Sequence, residues 1–182
     1  MIACIEMGID VNCSNNMGNT AAHVAAAHGR NNVLEILMKH GLVKDARNNL
    51  RETTMHIAAA NGLTNTCKVL RGHGVSIGLR DISGMTPLHK AVSANHAECV
   101  RFLLDHGSSL EDGAGRFKCH TYVIDVMLGA YATVNGSALH LASMLGHLEL
   151  MGMLLDRGAD KEGQIPMHAH RCIGLWRYHH FI

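Results

Sequence analysis

The chain has 182 residues, a net charge of +1 and 17% charged residues, a composition that is ordinary for a folded globular domain. A near-neutral charge gives no electrostatic basis for binding nucleic acid or an anionic membrane surface. No apolar run approaches the roughly 20 residues that a membrane-spanning helix needs, and the first residues lack the basic start and long apolar core of a secretory signal.

Residues 1–14 look like the second half of a repeat that recurs in full later in the chain. Residues 2–7 would complete a helix, and residues 8–12 would form a turn that contains glycine. The front half of this repeat is missing, although the terminal repeat of a stacked array needs a polar outer face. We therefore expect the chain to be a fragment or a shortened product of a longer protein.

Residues 15–47 are the first full repeat. Residues 21–27 predict a short, alanine-rich helix, which Gly29 ends because glycine readily adopts the conformation found just past a helix. Apolar residues then recur at helical spacing over residues 32–40 and predict a second helix. The repeat is thus expected to be a pair of short helices.

Residues 48–80 and 81–113 repeat this plan, with first helices predicted at 54–60 and 87–93. The earlier copy is less regular, because Arg51 stands where the other copies have a turn glycine. The later copy begins with the block Gly-Met-Thr-Pro-Leu-His-Lys-Ala and has a second helix predicted at 97–106. The histidine of this block recurs at a fixed period of 33, at His23, His56 and His89.

The period fails after residue 113. The next histidine of the block is His140, which follows His89 by 51 residues rather than 33. Residues 121–131 carry apolar side chains at the i, i+3, i+4, i+7 spacing of an amphipathic helix. We interpret residues 114–131 as a degenerate half-repeat that keeps one helix. The alternative is that 18 residues are inserted into an otherwise regular array.

Residues 132–159 resume the plan with a block that begins at Ser137. A last block reaches His168 five residues early, so residues 160–174 are interpreted as the truncated start of another repeat. Residues 169–182 show no pattern for a second helix. We expect them to form an irregular tail.

These features resemble the ankyrin-repeat family, in which each repeat is a β-turn followed by two antiparallel helices. The Thr-Pro-Leu-His block and its period of 33 carry the resemblance. It covers residues 1–168, with a gap near 114–131. It implies an all-α ankyrin-repeat solenoid that is a single domain over residues 1–168 and is degenerate or interrupted near 114–131 and at both ends.

The resemblance also implies roles for side chains within each repeat. The threonine and histidine of a block are expected to bond to each other and to the neighbouring turn, in the pairs Thr20 and His23, Thr53 and His56, and Thr86 and His89. One leucine of each second helix is expected to fill the core between repeats, namely Leu37, Leu70, Leu103 and Leu154.

The function that the resemblance implies is that of a non-catalytic module or scaffold, which binds a partner protein through its turn tips and concave helix face. The expected contact residues are Asn16, Met17, Asn19, His28, Asn49, Leu50, Glu52, Asn61, Ile82, Ser83, Met85, Ser93, Val134, Met144 and Leu145. This set contains one acid and neither lysine nor arginine. We therefore expect apolar and neutral polar contacts with the partner.

Two other functions fit parts of the sequence. A targeting or regulatory segment of a larger enzyme or receptor would account for a first repeat without its front half. A metal-binding protein is the weaker alternative, and it would use the histidines of the tail, His168, His170, His179 and His180.

The sequence has no catalytic or cofactor motif: it lacks the G-x-S-x-G, H-E-x-x-H, phosphate-loop and dinucleotide patterns. We therefore expect no enzyme activity and no cofactor. Ten of the 15 histidines recur at equivalent repeat positions, one layer apart, where they cannot converge on one metal ion. Cys67 and Cys99 fall on apolar helix faces and are interpreted as reduced, buried thiols, which favours the cytoplasm or the nucleus.

Overall fold

The computed structural model describes residues 10–110, 117–118, 133–134 and 137–159. Two short strands in these ranges are β1 (Phe117–Lys118) and β2 (Thr133–Val134). The chain divides into two compact units, Met1–Ser109 and Leu110–Ile182. The described residues contain eight helices: α1 (Ala21–Ala27), α2 (Asn31–Lys39), α3 (Thr54–Ala60), α4 (Thr64–Gly72), α5 (Pro87–Ser93), α6 (Ala97–Asp105), α7 (Ala138–Leu145) and α8 (Leu148–Asp156).

The described residues of the first unit form a stack of three helix pairs, α1 with α2, α3 with α4, and α5 with α6. The first helices of the pairs form one layer, since α1 packs against α3 and α3 against α5. The second helices form the other layer, since α2 packs against α4 and α4 against α6. This is the all-α stacked-repeat architecture that the sequence predicts.

The first helix of each pair begins after a threonine with extended backbone, and this threonine forms a capping box with the histidine at the third helical position. The helix α5 also has Pro87 in its first turn. Proline lacks a backbone N–H, but an N–H at this position would have no acceptor within the helix, so no hydrogen bond is lost. The capping chemistry is local, and the three helices lie at the predicted residues 21–27, 54–60 and 87–93.

The second helices end one residue before the predicted ends. The helix α2 runs from Asn31 to Lys39 instead of 32–40, and α6 runs from Ala97 to Asp105 instead of 97–106. His40 and His106 lie just past the helices, and the glycines that follow them, Gly41 and Gly107, have φ values of 84° and 90°. Each helix therefore ends before its histidine, and the chain turns away at the glycine that follows.

The core of the first unit lies between the two layers and between successive pairs. The leucines predicted to fill it are buried, with Leu37 2% exposed and Leu70 and Leu103 0% exposed. Full burial of such a side chain stabilises a fold by about 1.5–3 kcal/mol. The first helices meet at small side chains, which are the buried alanines Ala25, Ala58 and Ala91.

The described residues of the second unit include one helix pair. Ser137 forms a capping box with His140 at the start of α7, and α7 ends at Gly146, which has a φ of 73°. Leu154 on α8 is 0% exposed, as predicted. The strand β1 pairs antiparallel with β2, with Phe117 opposite Val134. The helices predicted at 2–7 and 121–131, and the tail from residue 160, lie outside the described residues.

Candidate protein-binding surface

Each helix pair of the first unit is preceded by a turn that one side chain holds in shape. Asn15 Oδ1 accepts hydrogen bonds from the backbone N–H groups of Met17 and Asn19, at 2.9 and 3.0 Å. Asn48 Oδ1 does the same for Leu50 and Glu52, at 3.0 and 2.9 Å. These are Asx turns, in which a short polar side chain replaces a backbone acceptor.

The third turn follows the same plan with an acid. Asp81 Oδ1 accepts hydrogen bonds from the backbone N–H groups of Ser83 and Met85, at 2.8 and 2.9 Å. Asn15, Asn48 and Asp81 stand at equivalent positions of successive repeats, one full period apart. Because these side chains and the backbone make the bonds of the turns, the side chains at the turn tips are left to point outward.

The turns are linked to one another by backbone hydrogen bonds. Asn49 N–H donates to the carbonyl of Met17 at 3.0 Å, and Ile82 N–H donates to the carbonyl of Leu50 at 2.9 Å. The Asn49 side chain adds a bond to the carbonyl of Asn16 at 3.0 Å. The three tips therefore form a continuous row along the first unit.

The side chains of this row are apolar and exposed. Met17 is 64% exposed, Leu50 52% and Ile82 62%; we call these three residues the tip row. A single exposed apolar residue is normal on a protein surface, whereas contiguous apolar surface often marks a binding site. Three such residues on consecutive, hydrogen-bonded tips therefore indicate a surface suited to an apolar partner.

Beside the tip row lies an ion-pair cluster that the sequence analysis missed. Lys90 Nζ lies 2.7 Å from Glu52 Oε1 and 2.9 Å from Asp81 Oδ2. Burial acts to lower the pKa of Lys90, but its hydrogen bonds to Glu52 and Asp81 outweigh burial and raise the pKa. The predicted contact acid, Glu52, is thus ion-paired within its own fold, although it shares Lys90 with Asp81 and the cluster keeps a formal charge of −1. Its partner Lys90 is 38 residues away, a spacing that the repeat period alone does not reveal.

The other predicted contact residues of the first unit differ in exposure. Asn19, Glu52 and Met85 are half-buried. Exposed residues of the set, besides the tip row, are Asn16, His28, Asn49, Asn61, Ser83 and Ser93. The partial burial of Met85 makes it a weaker contact candidate than Ile82, which the sequence analysis had placed beside it.

Three predicted contact residues belong to the second unit. Met144 is 44% exposed and Leu145 is half-buried, both in the last turn of α7. Val134 lies in the strand β2.

The block histidines His23 and His56 are structural, as the resemblance implied. His56 Nδ1 lies 3.1 Å from the backbone nitrogen of Thr53 and 2.9 Å from its Oγ1, and Nε2 lies 3.0 Å from the carbonyl oxygen of Met85. Because a carbonyl oxygen only accepts, Nε2 carries the proton, and Nδ1 accepts from Thr53. His23 makes the equivalent bonds to Thr20 and to the carbonyl of Glu52.

Burial and this bonding pattern favour neutral imidazoles. Burial lowers the pKa of His23 and of His56, and the hydrogen bonds to the carbonyls of Glu52 and Met85 offset only part of that effect. A proton on Nδ1 would also face the backbone N–H of Thr53, which is itself a donor. These histidines therefore join one repeat to the next in their uncharged form.

Other kinds of site have little support among the described residues. Within the described ranges, no group of three or more His, Cys, Asp or Glu side chains could hold a metal ion. The tail histidines proposed as ligands lie outside those ranges. No helix in the described part of the chain is long and apolar enough to cross a membrane.

Comparison with known proteins identifies the repeats. A family model described as ankyrin repeats, in three copies, matches residues 2–81 and again residues 55–165. No curated protein matches the chain. The two model matches together span most of the sequence, and they agree with the stacked helix pairs, the capped first helices and the period of the block histidines. The chain therefore belongs to the ankyrin-repeat family.

Proposed function

We propose that this protein is a non-catalytic scaffold that binds a partner protein through its turn tips and the adjoining face of its first helices. Ankyrin repeats are in general protein-interaction modules. The observation that carries the proposal for this chain is the tip row, whose three large apolar side chains are more than half exposed on linked turns.

The chemistry of the surface defines the partner that fits it. Lys90 pairs with both Glu52 and Asp81, so each charged group of this cluster already has a partner within the fold, and the cluster has a formal charge of −1. The tip row is bordered by the neutral side chains of Asn16, Asn49 and Ser83 and by one exposed cation, Arg51. We expect the partner to present an apolar strip with neutral hydrogen-bonding groups, and we expect its affinity to change little between low and physiological salt.

The test compares two substituted proteins that differ in where the new charge lies. Leu50→Asp combined with Ile82→Asp places two acids on the tip row. Val43→Asp is the control, because Val43 is also apolar and 55% exposed but lies in the loop after α2. Wild type and both variants are used for affinity capture and mass spectrometry, and binding of each captured protein is then measured with purified components.

The proposal predicts a partner that binds wild type and the Val43 variant equally and loses at least ten-fold in affinity with the double variant. Melting temperatures should agree within a few degrees, because surface changes away from special features usually alter stability by less than about 0.5 kcal/mol each. A partner that still binds the double variant, or whose affinity collapses on adding salt, would place the interface elsewhere.

Two further proposals follow from the sequence pattern. The ankyrin-family match continues past the end of the first unit, which supports treating residues 1–168 as one repeat domain. Cys13, Cys67 and Cys99 are free thiols, which favours a reducing compartment, the cytoplasm or the nucleus.

A further inference from the structure

Two cysteine thiols meet at the interface between the second and third helix pairs. Cys67 lies on α4 and Cys99 lies on α6, and these two helices pack against each other. Both side chains are 0% exposed. The two sulfur atoms are therefore enclosed in the same helix–helix interface.

A hydrogen bond holds the Cys99 sulfur against the helix that carries Cys67. Cys99 Sγ lies 3.3 Å from Thr64 Oγ1. Thr64 and Cys67 are three residues apart on α4, so their side chains share one face with Cβ atoms about 5–6 Å apart. The contact with Thr64 therefore brings the Cys99 sulfur next to the Cys67 thiol.

The preceding interface shows how this contact arises from the repeat. There Thr66 Oγ1 donates to Asn31 Oδ1 at 2.8 Å, across the same separation of 35 residues as Thr64 and Cys99. Cys99 thus occupies the position of Thr66 one repeat later. Cys67 directly follows Thr66, so the two cysteines stand at neighbouring positions of their repeats. This offset of one residue places them across the interface from each other.

The thiols also affect each other's ionisation. Hydrogen bonds from Cys67 and, to a smaller extent, from the Thr64 hydroxyl together lower the pKa of Cys99 to about 7, against the effect of burial. The same bond to Cys99, together with burial, raises the pKa of Cys67. Because the thiolate is the reactive form of cysteine, Cys99 is the one of these two thiols from which oxidation would start.

We propose that Cys67 and Cys99 form a reversible disulfide site, which joins the second and third repeats covalently when a peroxide oxidises the protein. The Cys99 thiolate attacks one oxygen of hydrogen peroxide, the O–O bond breaks, and hydroxide leaves, so Cys99 becomes a sulfenic acid. Hydroxide takes the proton of Cys67. The Cys67 thiolate then attacks the sulfenic sulfur, and the displaced hydroxide takes up the proton that Cys99 had released.

The balance is two thiols and one hydrogen peroxide giving one disulfide and two waters. A dithiol reductant reverses the reaction by thiol–disulfide exchange. The linked helices belong to the repeats whose tips carry Leu50 and Ile82. The disulfide would therefore join the two repeats that carry these tips.

The site is tested on the unmodified full chain. The protein is treated with hydrogen peroxide while folded, remaining thiols are blocked with N-ethylmaleimide, and a tryptic digest is analysed without reductant. Trypsin separates the two cysteines into peptides 52–68 and 91–101, each with one cysteine. We expect these peptides joined, with the mass of their sum less two hydrogen atoms, and separated again by dithiothreitol.

Selectivity and stability supply the controls. The exposed Cys13 is the comparison thiol, and Cys13→Ser should leave the link unchanged. The linked protein should melt roughly 10 °C higher than the reduced protein, because the bond restricts the unfolded chain. Failure to link the two peptides in folded protein, equal linking of other cysteine pairs, or a linked form that melts below the reduced form would overturn the proposal.

Discussion

Acidification should destabilise this protein through its buried histidines. His23 and His56 are 1% and 0% exposed. Each accepts from a threonine at Nδ1 and donates to a carbonyl of the next repeat from Nε2. Folding lowers the pKa of both groups from the ordinary value of 6.5. The unfolded chain, whose histidines are free of this burial, then binds protons more tightly than the folded chain.

The sign and size of the effect follow from this difference. Stability is fully present above pH 6.5, the ordinary histidine pKa, and is lost as the pH falls from there toward the lower pKa of the folded state. In that window each histidine contributes at most ~1.4 kcal/mol per pH unit. From about pH 7.5 to about pH 5.5, the two together should lower the free energy of unfolding by roughly 1–3 kcal/mol.

Urea denaturation followed by circular dichroism measures this loss at a series of pH values. The matched variant is His56→Gln, which retains an N–H donor for the Met85 carbonyl and has no charge to gain in this range. Its stability at pH 7.5 should be lower than that of wild type, and its slope with pH should be shallower. An unfolding free energy that is flat or rises as the pH falls from 7 to 5.5 would refute the neutral-histidine account.

Three further predictions concern stability. Leu103→Ala, at a side chain with 0% exposure, should cost about 2–5 kcal/mol in urea denaturation, whereas the exposed Lys39→Ala should change little; equal effects would show that the repeat phasing is wrong. Arg51 has a φ of 58°, where Gly18 and Gly84 have 74° and 80°, so Arg51→Gly should raise the melting temperature and Gly18→Ala should lower it. Lys90→Met should cost on the order of 1–3 kcal/mol, because it leaves Glu52 and Asp81 without their cation; no loss would show that the cluster is strongly solvated.

The first helices could be placed from the sequence because their boundaries depend on local chemistry. Each is defined by a threonine and a histidine three residues later, which bond to each other whatever the neighbouring repeat contributes. The second helices have amphipathic spacing but no capping side-chain bond at their starts. Periodicity locates the buried face of such a helix more firmly than its ends, so the predicted ends of α2 and α6 were one residue too late.

The contacts between repeats were harder to predict because they depend on small offsets from the period. Lys90 reaches Glu52 across 38 residues, and Cys99 reaches Thr64 across 35. The repeat period predicts which residues are equivalent, and it does not predict which nonequivalent side chains meet when one layer stacks on the next. The length and direction of a side chain such as Lys90 decide that, and they become apparent only in three dimensions.

The tip row differs from the first helices and from the contacts between repeats, because the turns do not need its side chains in order to form. The turns are held by Asn15, Asn48 and Asp81 and by backbone bonds. The third repeat has Ser83 at the position equivalent to Leu50, and it makes the same Asx turn with a polar residue. A leucine at this tip therefore does not improve the turn, and it exposes apolar surface to water. The proposed binding to an apolar partner would account for that exposure, which folding of the turn does not require.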